Sequence, residues 1–211
     1  MGEKELIPEI EKLKGDKAVS GLVRDRIGEF ERVQKADERV WFEELCFCLL
    51  TANTSARMGM NTIHDIKGIL PHCDKKSLSR SLKECRYRFY NRRAEFIVDA
   101  RGLLPRLKEE VQKRSEQDAR RWLVENIKGM GFKEASHFMR NIGYKNLAII
   151  DRHILKVLSR YGLIDGIPSS LPEKTYREIE KVLGLLSQET ALSLAELDFY
   201  LWYMETGEVL K

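Results

Sequence analysis

Two residues in this chain have the types and setting needed to work on an electrophilic carbon beside a phosphate: Lys133 and Asp151. Lys133 closes the stretch Ile127-Lys128-Gly129-Met130-Gly131-Phe132-Lys133, which lies between two helical segments and reads as helix, tight hairpin, helix. Gly129 and Gly131 permit a turn that a Cβ would obstruct. They also bare the N–H groups at the start of the next helix, where partial positive charge collects and a phosphate can dock. A lysine in that first turn is a nucleophile only when neutral, and burial and the helix's positive end both favour the neutral amine. Asp151 sits where an N-cap belongs, before Ile154, Leu155 and Leu158, and the same field keeps a carboxylate ionised there. An amine to attack and an anion to steady the resulting positive charge form a minimal covalent-catalysis pair, with no metal required. Taken alone, Asp151 reads better as a simple cap worth about 1 kcal/mol, and the Gly-x-Gly hairpin reads equally as an ordinary surface turn.

Charge shows where a polyanion would lie. The chain carries a formal net charge of only +4. From Asp74 to Arg93, however, Lys75, Lys76, Arg80, Lys83, Arg86, Arg88, Arg92 and Arg93 are opposed only by Asp74 and Glu84, so that stretch holds +6 and the remainder −2. Tyr87, Phe89 and Tyr90 are interleaved with it. Cations beside aromatics suit a surface that tracks a nucleic-acid backbone and stacks on, or wedges between, its bases. On a DNA surface the lysine–carboxylate pair has a definite reaction. The amine attacks C1′ of a deoxyribose as a damaged base leaves, the carboxylate stabilises the oxocarbenium-like charge, and the covalent imine eliminates the 3′ phosphate.

The elements that must position these groups read as helices almost throughout. Val19, Leu22, Val23, Ile27 and Phe30 recur on one face. Asp37 caps a buried helix from Glu38 to about Thr51, Ser55 caps the next, and Asp74 starts a short basic one. A helix from Asn91 to about Leu104 ends near Pro105, and Ser115 precedes another. After the hairpin, Lys133 to Ile142 is helical. Leu147 to Ile150 reads as an extended connector, because no partner strand is present. Ser170 and Pro172 open a further helix, and a last one is expected from about Gln188 to Glu205, stopped by Gly207. The expectation is an all-α chain of roughly ten helices in two lobes. Residues 33–146 form the central lobe with the helix–hairpin–helix motif, residues 1–32 and 147–211 the other, and an active-site cleft lies between them. With 211 residues and 43% hydrophobic content, such a chain needs no staples. Cys46, Cys48, Cys73 and Cys85 lack zinc-ligand spacing and read as reduced thiols of a cytoplasmic protein. No secretory segment opens the chain and no apolar run is long enough to span a membrane.

Lys128-Gly129-Met130-Gly131-Phe132-Lys133-Glu134-Ala135, followed by Ile149-Ile150-Asp151-Arg152-His153, resembles the helix–hairpin–helix DNA glycosylases. More narrowly it resembles the compact second class of 8-oxoguanine DNA glycosylase/AP lyases. The likeness extends to Leu49-Leu50-Thr51-Ala52-Asn53-Thr54-Ser55-Ala56, to Arg88-Phe89-Tyr90-Asn91-Arg92-Arg93-Ala94 and to Trp202 through Lys211. It implies that Lys133 is the Schiff-base nucleophile and Asp151 its partner. It also implies that Gly129, Gly131 and His153 hold DNA phosphates, and that Asn53 fills the gap left by a flipped nucleotide. Arg57 and Arg93 would read the orphaned base, expected to be cytosine, with Phe89 as wedge. Trp202, Lys211 (by side chain or carboxylate) and, more weakly, Asp198 would hold the oxidised base. Without the resemblance, Trp202 reads as well as core packing, and Lys211 as a frayed tail.

The family pattern also implies no required cofactor, although several relatives hold a monovalent cation on the hairpin carbonyls. No cysteine follows Cys85, so the iron–sulfur cluster of some relatives has no ligands in its usual place. The expected activity is removal of 8-oxoguanine from duplex DNA, with strand nicking by β-elimination, by a monomer. Two alternatives stand beside it: excision of another oxidised base on the same fold, and a non-enzymatic DNA-binding module.

Overall fold

The computed structural model describes residues 2–211, Glu3 by its backbone alone. Among the described residues it is all-α, with twelve α-helices, one 3₁₀ segment and no strand. In chain order the helices are α1 (Glu3–Gly15), α2 (Lys17–Lys35), α3 (Glu38–Thr51), α4 (Ala56–Ile66), α5 (Lys75–Glu84), α6 (Tyr90–Ala100), α7 (Leu107–Gln112), α8 (Glu116–Asn126), α9 (Phe132–Asn141), α10 (Arg152–Arg160), α11 (Glu173–Glu189) and α12 (Leu194–Thr206). The chain divides into two compact units. One runs up to Glu31 and resumes over Gly143–Leu210; the other spans Arg32–Ile142 and takes in Lys211. Lys211, expected with the chain ends, thus groups with the middle unit.

The middle unit is built on α3. Ten of its fourteen residues are buried, including Trp41, Phe42, Leu45 and Phe47, so it is apolar nearly all round, as a central helix must be. Each large side chain so buried contributes about 1.5–3 kcal/mol. Asp37 starts the helix by accepting the Val40 N–H at 3.0 Å, and the Trp41 indole N–H donates to the Val33 carbonyl at 2.9 Å. α9 packs on α3 and α8, with Phe138 edge-on to Trp41 at 6.2 Å. Tyr87, which the sequence groups with a stacking surface, is instead core: it is 1% exposed and its hydroxyl donates to the Leu50 carbonyl at 2.6 Å. Pro105 does not stop a helix; it lies inside the 3₁₀ segment Arg101–Arg106 that follows α6. Burial pushes the Cys46 and Cys48 thiols well up.

The chain-end unit buries Val19, Val23, Ile27 and Phe30 of α2, with Phe30 stacked on Phe199 at 6.1 Å. Leu22 departs from the expected face and is exposed. Residues 147–150 form the extended connector, and α11 side chains satisfy its backbone. Ala148 N–H donates to Glu180 at 3.0 Å, the Tyr176 hydroxyl donates to the Ala148 carbonyl at 2.8 Å, and Ile150 N–H donates to the Tyr176 oxygen at 3.2 Å. The expected helix from Gln188 to Glu205 is broken. α11 ends at Glu189, Ala191 turns the chain at φ +52°, and Ser193 restarts it as the cap of α12. Ser193 and Glu196 form a reciprocal capping box, a local signal present in the sequence.

Candidate active site

The hairpin depends on one glycine more than on the other. Gly129 has φ +80°, and a Cβ there would lie 2.3 Å from the Phe96 ring, so both backbone and space demand glycine. Gly131, with φ −96° and ψ −177°, is ordinary extended backbone, and its Cβ would meet only the flexible Glu134 carboxylate at 3.2 Å. The sequence reading that both glycines are needed for the turn is therefore corrected to Gly129 alone. Gly131 is the N-cap of α9 and offers no side chain. Glu134 in the first turn closes the terminus instead, accepting the Gly131 N–H at 3.3 Å. Lys133 is half-buried and has no hydrogen-bond or ion-pair partner among the described residues.

Beside the hairpin, a groove of the middle unit is lined by Ala52, Asn53, Phe89, Arg92, Arg93, Phe96, Gly129 and Glu134. It brings together Asn53, Phe89 and Arg93, which the sequence grouped, and joins them to the hairpin. Asn53 is exposed on the turn between α3 and α4 at φ +63°, a left-handed conformation that asparagine tolerates better than most residues. Phe89 is half-buried, with the Arg88 guanidinium 4.4 Å from its ring centroid. Arg93 is only 6% exposed, and its Nη2 donates to the Ala52 carbonyl at 2.9 Å. Its guanidinium braces the turn that presents Asn53. Arg57 lies exposed in the first turn of α4 and is not among the groove-lining residues.

A second cluster joins α3, α9 and Lys211. Glu44, a carboxylate only 6% exposed on an otherwise apolar helix, pairs with the Lys211 ammonium and accepts the Asn141 amide at 3.1 Å. Asn141 accepts in turn from the Arg140 guanidinium at 3.3 and 3.2 Å. Lys211 Nζ also lies 5.5 Å from the centroid of Phe47, so its ammonium meets a carboxylate and an aromatic face. His137, one turn beyond Lys133, is edge-on to Phe47 at 5.4 Å and 6% exposed. Burial, and then the charges of Arg140, Lys133 and Lys211, hold its imidazole well below the usual histidine range. The sequence reading found neither Glu44 nor His137. The available signals were a carboxylate inside an apolar run and a histidine at i+4 from the lysine.

The third cluster lies in the chain-end unit. Asp151 caps α10 with one oxygen, accepting the His153 and Ile154 N–H groups at 2.8 and 2.9 Å. Its other oxygen accepts the Trp202 indole N–H at 3.3 Å. Trp202 in turn meets the His153 ring edge-on at 5.5 Å. Three residues singled out separately in the sequence, Asp151, His153 and Trp202, are thus one contact group. Asp198 is 7% exposed and lines a small cavity whose other walls include Ala148, Ile149, Leu183 and Leu197. Among the described residues no helix is long and apolar enough to cross a membrane.

Fold and geometry define a helix–hairpin–helix protein whose polar groups suit covalent chemistry on DNA. Comparison with known proteins narrows that class. A sequence model of the family described as 8-oxoguanine DNA glycosylase matches residues 23–192. The 8-oxoguanine DNA glycosylase/AP lyase of Korarchaeum cryptofilum is 45% identical over 212 residues, covering 100% of both chains. The crystal structure of the Methanocaldococcus jannaschii 8-oxoguanine glycosylase/lyase in complex with a 15mer DNA containing 8-oxoguanine is 44% identical. It matches with a TM-score of 0.95 over 98% of this chain and 100% of that one. The 8-oxoguanine DNA glycosylase of Thermotoga maritima is 40% identical, with a TM-score of 0.93 over 99% of this chain and 100% of that one. This chain belongs to the 8-oxoguanine DNA glycosylase family.

Proposed function

We propose that the protein excises 8-oxoguanine from duplex DNA and nicks the strand at the resulting site, with Lys133 as nucleophile. The observation that carries this reading is Lys133 itself: a half-buried lysine in the first turn of α9, next to an anion-receptive hairpin and tied to no carboxylate among the described residues. A lysine held in an ion pair would have to break it before reacting.

In the proposed reaction the Lys133 amine forms a bond to C1′ as the glycosidic bond breaks, and the base leaves with that electron pair and a proton. The ring opens to an imine. Loss of a C2′ proton then expels the 3′ phosphate, and water releases the enzyme. Asp151 is the carboxylate that balances the cationic charge at C1′, and its bonds to two amides and an indole keep it oriented. Gly129, Gly131 and His153 hold phosphates. Asn53 and Phe89 enter the space of the flipped nucleotide, and Arg93 and Arg57 serve the opposite base, cytosine. Trp202 supplies a stacking face and Lys211 a polar group for the lesion, with Asp198 as support from within the fold. The chemistry requires no cofactor, the hairpin carbonyls are where a monovalent cation would sit if one is bound, and the enzyme acts as a monomer on chromosomal DNA in the cytoplasm.

Borohydride trapping on duplexes carrying 8-oxoguanine, thymine glycol or uracil tests this. A covalent adduct is expected with 8-oxoguanine opposite cytosine, and none with Lys133→Gln. An undiminished adduct in that variant refutes Lys133 as nucleophile. Equal trapping on thymine glycol points to another lesion, and no adduct in the unaltered protein points to a binding module.

A further inference from the structure

His137 has no assigned part in the proposed chemistry, yet it stands where the chemistry happens. It follows Lys133 by one helical turn, so the two side chains project from the same face of α9, with Cβ atoms about 6 Å apart. The ring is buried at 6% exposure, and neither Nδ1 nor Nε2 has a hydrogen-bond partner among the described residues. Buried polar atoms in native proteins nearly always find partners, and an orphan costs stability, so two on one ring call for a reason. The edge-on contact with Phe47 fixes the plane of the imidazole, while Lys211 Nζ lies against the same Phe47 ring.

We infer that His137 is a base-contacting residue: its two uncommitted ring nitrogens supply a hydrogen bond to the base that departs from the sugar attacked by Lys133. This rests on the reading of Lys133 as nucleophile. A base leaving C1′ starts bonded to the carbon that Lys133 attacks, and His137 is a buried polar ring on the same helical face. Burial first, and then the positive charges of Arg140, Lys133 and Lys211, keep the ring neutral, with one donor and one acceptor nitrogen. No protein group fixes its tautomer. The ring can therefore turn an N–H toward a carbonyl oxygen or a lone pair toward an N–H. A contact of that kind holds and orients a purine without choosing among purines, and the choice between guanine and 8-oxoguanine falls to other groups.

The test compares His137→Phe and His137→Gln with the unaltered full-length protein. Phe keeps the ring against Phe47 and removes both nitrogens; Gln restores one donor and one acceptor. Single-turnover excision from an 8-oxoguanine duplex and borohydride trapping on a duplex with a preformed abasic site are measured side by side. His137→Phe is expected to slow excision by about 10- to 100-fold, the range for losing one hydrogen bond to a buried group. Abasic-site trapping should stay near wild type, because no base remains to be held. Tm should be unchanged or higher, because two unsatisfied atoms are gone, and His137→Gln should regain part of the excision rate. Wild-type excision by His137→Phe overturns the inference. So does a parallel loss of excision and abasic trapping, or a Tm drop of several degrees, since either would make the ring a support for Lys133 or for the fold. Lys133→Gln on the abasic duplex judges the nucleophile separately: persistent trapping there defeats the reading of Lys133 and leaves the His137 comparison to be read by itself.

Discussion

α9 and α10 begin in opposite ways, although both starts are assigned to the same chemistry. The α10 terminus is closed by its own cap: Asp151 accepts two amides and still holds the Trp202 indole with its second oxygen. The α9 terminus has a glycine at the cap, and its one side-chain acceptor reaches back from Glu134 at 3.3 Å. A terminus saturated by a strong cap keeps one carboxylate in one orientation. A terminus closed by a long bond to a first-turn carboxylate can exchange it for an external anion. The first design suits a group that must not move during a reaction, the second a group that must receive a phosphate.

The largest effect expected from disturbing this contrast is at Asp151. Asp151→Asn keeps an oxygen for the His153 and Ile154 amides, loses the charge, and gives up the Trp202 hydrogen bond, because its amide nitrogen cannot accept. Excision should fall by roughly 100- to 1,000-fold, the magnitude of losing one preorganised electrostatic group, while stability falls by only about 1 kcal/mol, from the lost Trp202 hydrogen bond. Asp151→Ala should lose the same activity and, in addition, about 1 kcal/mol of stability from the missing cap. If Asp151→Asn retains excision, the residue is a cap and nothing more. Single-turnover kinetics and a thermal melt on each variant separate the two cases.

A smaller effect is expected at the hairpin. Gly129→Ala forces a side chain to φ +80° and into the Phe96 ring, so it should cost about 1–3 kcal/mol and weaken duplex binding as the turn shifts. Gly131→Ala meets only the tip of Glu134 in extended backbone and should cost under about 1 kcal/mol. Denaturant midpoints for the pair check this. Equal costs would mean that the turn relaxes around either residue, and that the positive φ at Gly129 is not what sets the hairpin.

What the sequence made legible follows how local each feature is. Asp37, Ser55, Asp74, Ser115 and Asp151 all cap the helices read for them, because a cap is a contact between residues two or three apart. The same kind of signal at Ser193 and Glu196 was passed over because the apolar pattern ran on through it, and one helix was read where two exist. Arg93 shows a second limit. Composition places it with seven other basic residues on a charged surface stretch, yet its guanidinium is buried against the Ala52 carbonyl beside the groove, and burial is not written in local composition. The hardest feature was the group of Glu44, His137 and Lys211. Glu44 and Lys211 are 167 residues apart, and only the folded unit brings them together. Lys211, which alone reads as a loose tail, is held by a buried carboxylate and an aromatic face.

The smallest effect is also the most direct probe of the α9 terminus. Glu134→Gln leaves an amide oxygen able to accept the Gly131 N–H, so the helix start stays closed, while one negative charge beside the proposed phosphate site disappears. Stability should fall by only a few tenths of a kcal/mol, from the weaker match to the helix dipole. Affinity for an abasic-site duplex should rise by about 2- to 5-fold at low salt, and that gain should shrink as salt screens the site. The rate of the chemical step should not change, since Glu134 is assigned to no bond-making event. Fluorescence anisotropy across a salt series measures the first two consequences. If Glu134→Gln binds no more tightly at any salt concentration, the carboxylate is not displaced by a phosphate, and the α9 terminus is as closed in use as that of α10.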